Sequence, residues 1–64
     1  MVDNVQSNTV DQPAVEVVEA CGEWFVRVVE DGKATTASFE LEAFALTFAE
    51  GQRMRLGLER IARI

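Results

Sequence analysis

Asp31-Gly32 stands between two runs of strand-forming residues, WFVRVVE at 24–30 and KATTASF at 33–39. Two residues can join antiparallel strands but cannot join parallel ones, and an Asp-Gly pair suits the positive φ angles of a type I′ turn. The middle of the chain is therefore predicted to be a β-hairpin, and everything else must fit around an antiparallel sheet. A third, Val-rich run, AVEVVEA at 14–20, precedes the turn Cys21-Gly22-Glu23, in which Gly22 is free to take positive φ. Connections this short make sequential strands neighbours in space, so the three runs form a meander.

At Phe39 the period changes. Leu41, Phe44, Ala45, Phe48, Ala49, Gln52 and Leu56 recur at helical spacing and fall in one stripe. Ser38 or Glu40 is expected near the N-cap, and Glu40 and Glu42 suit the positive end of the helix dipole. Arg60 and Arg63 suit the negative end of a helix that runs on to the C-terminal residues. Gly51 and Gly57 each cost about 1 kcal/mol relative to Ala inside a helix, so each marks a close contact, a kink or a helix end. The fold class expected is α+β: a three-stranded antiparallel meander followed by one long C-terminal helix, β-β-β-α. One helix covers one sheet face, here assigned to Trp24, Val26 and Val28. Phe25, Arg27 and Val29 alternate onto the other.

Residues 1–12 are polar and show no sustained period, and are read as a mobile leader ahead of a single domain at 13–64. A chain of 64 residues builds only a small core. Chains of this size lean on a disulfide, a metal or a second subunit. A single cysteine, Cys21, and no histidine leave the second subunit as the available support. One cysteine and a polar start without a signal-like apolar stretch point to the cytoplasm, and no run is long and apolar enough for a membrane span.

Residues that could carry chemistry are few. Cys21 and Ser38 have no histidine to activate them. The carboxylate pairs Glu16/Glu19 and Glu40/Glu42 lie at a strand edge and a helix start, where water reaches them and no desolvating pocket is expected. The four glycines are isolated and form no phosphate cradle. No catalytic, cofactor-binding or metal residues are expected, and one sheet with one helix leaves little room for a ligand pocket of about 300 Å³.

The net charge of −5 is uneven. Residues 1–52 carry Arg27 and Lys33 against ten acids, and residues 53–64 carry four arginines against Glu59. If the helix runs on, Arg53, Arg60 and Arg63 make a basic stripe that can meet an anion, and Met54, Leu58 and Ile61 make an apolar stripe on the opposite side.

Gly22-Glu23-Trp24-Phe25-Val26, then Asp31-Gly32-Lys33, then Phe39-Glu40 with Glu42-Ala43, resembles a pattern in short bacterial proteins that join a G-x-W-x-V hairpin to a helix opening with Glu-Ala after a phenylalanine. The likeness spans residues 15–50. It implies a hairpin plus helix and carries no activity or substrate.

The functional expectation is a non-enzymatic homodimeric interaction module or regulator. Its candidate interface is Phe25, Arg27 and Val29 on the uncovered sheet face, with Met54, Leu58 and Ile61 on the helix end. The competing expectation is a nucleic-acid-binding accessory protein that uses the arginine-rich end, although the acidic body would repel phosphates.

Overall fold

A computed structural model describes residues 12–64. The proposed leader lies outside the described residues except for Gln12. Three strands, β1 (Ala14–Ala20), β2 (Glu23–Glu30) and β3 (Lys33–Phe39), lead into a helix, α1 (Glu42–Leu56), and a two-residue strand, β4 (Ala62–Arg63), follows.

Both hairpin turns are two residues long. Asp31 and Gly32 have φ of 55° and 75°, and Glu30 pairs with Lys33 across them. Cys21 and Gly22 have φ of 55° and 81°, with Ala20 paired to Glu23. Positive φ at both central positions is the type I′ pattern, whose twist matches that of the flanking strands. The Glu19 carboxylate accepts from the Gly22 backbone N–H at 3.0 Å and holds the first turn.

The meander register places Val17 opposite Val26 and Val15 opposite Val28, while Trp24 lies between Glu19 and Phe39. These residues share the face that α1 covers. Val15, Val17, Val26 and Val28 are buried there with Ala45 and Ala49 of the helix. Two alanines at i and i+4 let the helix backbone lie close to the valines. Phe48 and Leu46 flank them, and the Phe48 ring meets that of Phe39 at a centroid distance of 5.4 Å.

The helix start differs from expectation. Leu41 is the N-cap, with extended backbone, and no side chain caps it; neither Ser38 nor Glu40 does so. Leu41 and Phe44 also leave the core stripe and are 55% and 60% exposed. The stripe that meets the sheet is centred on Ala45 and Ala49, and Phe44 lies about 100° round the helix from Ala45.

The helix passes through Gly51 and stops at Gly57, which takes the left-handed conformation at φ 70°. The Gly57 N–H donates to the Met54 carbonyl at 3.2 Å and the Leu58 N–H to the Arg53 carbonyl at 3.0 Å. This pair of bonds is a Schellman cap. The expected long C-terminal helix is thereby corrected: residues 58–64 turn back, Leu58 and Ile61 pack on the core cluster, and β4 joins β1 in parallel. The sheet has four strands in the order β3-β2-β1-β4. In β3-α1-β4 the helix carries the chain from one sheet edge to the other. The helix itself runs lengthwise over the sheet: Glu42 at its start pairs with Arg63 of β4, and Arg55 near its end pairs with Glu30 of β2.

Candidate functional site

The structure scatters the arginines over the surface and engages four of the five with acids. Arg27 reaches Glu16 at 2.8 Å on the face away from the helix. Arg53 reaches Glu50 at 2.7 Å and donates from Nη1 to the Leu58 carbonyl at 2.8 Å, which ties the returning segment to the helix. Arg55 grips both oxygens of Glu30 at 2.8 and 3.0 Å, and Gln52 Oε1 accepts from it as well. These hydrogen bonds hold the Glu30 carboxyl below the usual carboxylate range and raise the Arg55 guanidinium. Arg63 pairs with Glu42 at 3.0 Å and lies over the Trp24 ring at 5.8 Å.

The stripe of Arg53, Arg60 and Arg63 does not form as a helical face, because the helix ends before Arg60. Arg53 lies in the helix, Arg60 in the return loop and Arg63 in β4. Among the described residues Arg60 makes no ion pair.

The six candidate interface residues also separate. Leu58 and Ile61 lie against the chain's own core. Met54 points to solvent and is 68% exposed. Phe25 is half-buried and Arg27 exposed on the outer sheet face, while Val29 is buried there, outside the cluster under the helix. Phe25 and the half-buried Val18 opposite it make the apolar part of that face.

A different apolar surface comes from residues first assigned to the core. Phe44 lies one turn before Phe48 on the flank of α1 nearest β3, and both Leu41 and Phe44 are open to solvent. Beside them runs β3, an outer strand of the sheet, with Lys33 to Thr36 and Ser38 all exposed. The sequence signal for this surface was present in the alanines. Once Ala45 and Ala49 are taken as the line of closest approach, Phe44 cannot share it.

A cleft opens where the return loop diverges from β1. Its volume is about 380 Å³, with Pro13, Ala14 and Val15 on one side and Leu58, Glu59, Arg60 and Ala62 on the other. The cleft is open to solvent and exists because the C-terminal segment turns back. Its only charged lining residues are Glu59 and Arg60, and no nucleophile stands beside them. Cys21 is exposed in the first hairpin turn. Among the described residues no three metal-ligating side chains converge, and no helix is long and apolar enough to cross a membrane. No protein-family model, curated protein or solved structure matches this chain.

Proposed function

We propose that this chain is a small non-enzymatic module that works as a homodimer and acts through its surface, as an adaptor or regulator in a reducing compartment. The observation that carries this reading is where the large apolar side chains lie. Among the described residues every fully buried hydrophobic residue is valine or alanine, larger side chains such as Trp24, Phe39 and Phe48 are only partly covered, and Leu41, Phe44, Met54 and Ile64 remain more than half exposed. A core of small residues leaves little net stability in a domain of this length. Covering side chains such as Leu41 and Phe44 against a second copy adds roughly 25 cal/mol per Å² of apolar area removed from water, and twofold pairing is the commonest way to do so. The exposed free thiol of Cys21 suits a reducing compartment.

The nucleic-acid reading draws less support from the geometry. Arg53 and Arg63, two of its three arginines, each have a carboxylate partner within the chain. Light scattering coupled to gel filtration tests the homodimer directly. A mass of twice the 7.1 kDa chain is expected at micromolar concentration; a mass of 7.1 kDa up to high micromolar concentration overturns the reading.

A further inference from the structure

We infer that the free edge of β3 is the self-recognition surface: two copies pair antiparallel through Ala34, Thr36 and Ser38, with Thr36 on the twofold axis, and join two four-stranded sheets into one. This rests on the homodimer reading above and assigns its surface.

The parity of the β2–β3 hairpin decides which backbone groups are available. In a two-residue hairpin the residues flanking the turn form a hydrogen-bonded pair, here Glu30 and Lys33, and the pairs alternate along the ladder. Lys33, Thr35, Ala37 and Phe39 therefore turn their N–H and C=O groups toward β2. Ala34, Thr36 and Ser38 turn theirs outward, where among the described residues no strand meets them. An antiparallel copy centred on Thr36 sets Thr36 opposite Thr36 and Ala34 opposite Ser38. Every outward donor then meets an outward acceptor. The side chains of these three residues are small and lie on the face away from the helix, so they do not obstruct the approach.

The ends of the strand complement each other as well. Lys33 of one copy falls opposite Phe39 of the other, next to Glu40 and to the exposed rings and methyls of Phe44 and Leu41. The lysine stem can lie along that apolar patch while its ammonium reaches the Glu40 carboxylate. A parallel copy would bring like ends together and lose this match. The strand also lacks the devices that keep a sheet edge solitary. It is seven residues long, has no proline, and carries no charge after Lys33 at its start. The opposite edge, β4, is only two residues long and offers far less to pair with.

Thr36→Pro removes an outward N–H and leaves the bonds to β2 intact, because proline is tolerated on an edge strand when its nitrogen faces solvent. The expected result is a folded variant whose scattering mass is half that of the parent. Independently, Thr36→Cys in a Cys21→Ser background should form an intermolecular disulfide readily. A hydrogen-bonded antiparallel pair sets its Cα atoms about 5.5 Å apart, within disulfide range. Lys33→Cys in the same background should not cross-link, since pairing centred on Thr36 holds the two Lys33 positions roughly 20 Å apart. A dimeric parent whose Thr36→Pro variant stays dimeric, or whose Thr36→Cys variant cross-links no faster than Lys33→Cys, overturns the β3 edge and leaves the homodimer standing. A monomeric parent overturns both. If Thr36→Pro fails to fold, the cross-linking pair decides.

Discussion

Two glycines of α1 and its cap illustrate how one residue type can be a weakness at one position and a requirement at another. Gly51 lies in the helix interior, and a Cβ built on it meets nothing within 4 Å. Gly51→Ala should therefore stabilise the protein by roughly 0.5–1 kcal/mol, through helix propensity alone. Gly57 also has open space, but its φ of 70° penalises any L side chain, so Gly57→Ala should cost about 1–2 kcal/mol. Urea unfolding of both variants measures the pair; equal shifts would mean that the Schellman cap does not end the helix in solution. Glu30 supplies a pH test. Its carboxyl is held below its ordinary value by Arg55. A depressed folded-state value means that the contribution is present above the unfolded pKa and lost as pH falls through the folded one. Replacing the side chain by Glu30→Gln should flatten the parent's loss of stability on acidification across that window. An unchanged slope would show that the Arg55 contact does not persist. At this scale the Asp31-Gly32 turn was legible because Asp-Gly has one strongly favoured hairpin geometry. The positive φ of Cys21 was not, because Gly22 beside it drew the whole assignment.

The strands were legible as elements, since short turn signals bound Val-rich runs: β1 and β3 begin and end where the sequence places them, and β2 begins one residue earlier at Glu23. The assignment of Trp24, Val26 and Val28 to the helix face also holds. The end of the helix was legible only as one of the readings offered for Gly57. Met54, Leu58 and Ile61 keep a spacing of four and three, which continues a helical stripe on paper, and only the conformation of Gly57 breaks it. Nor could β4 be read, because Ala62-Arg63 is too short to show a period and owes its place to Val17, whose carbonyl accepts the Ile64 N–H at 2.9 Å. The return segment should matter to stability. Ile61 is half-buried against the core, so Ile61→Ala should cost about 1–2 kcal/mol, below the usual range for a fully buried isoleucine. Thermal unfolding of this variant beside Met54→Ala, whose side chain is exposed, gives the comparison. Equal effects would mean that residues 58–64 are detached in solution.

The arrangement of the whole molecule sets what it can recognise. The arginine set that looked like a basic stripe in the sequence is dispersed, and Arg27, Arg53, Arg55 and Arg63 are each matched to a glutamate. Exposed pairs of this kind contribute little stability, yet they spend the positive charge that a phosphate backbone would need. Binding to duplex DNA or RNA should accordingly be weaker than micromolar at physiological salt. Fluorescence anisotropy would contradict this by showing sub-micromolar, salt-sensitive binding that Arg60→Ala weakens. The apolar surface follows a different logic, because the close helix–sheet contact through Ala45 and Ala49 displaces Phe44 toward the β3 edge. That displacement is legible only once Ala45 and Ala49 are separated from the other apolar positions of the helical stripe and taken as the line of closest approach.

The proposal at the centre, that the domain completes its burial with a second copy, is tested most directly by the thermal unfolding midpoint as a function of protein concentration. Folding coupled to dimer formation ties the midpoint to concentration by mass action. Calorimetry from low micromolar to millimolar protein should show a midpoint that rises steadily with concentration, and Thr36→Pro should abolish that rise. A parent midpoint that stays constant over the same range, at the mass of a single 7.1 kDa chain, would contradict it.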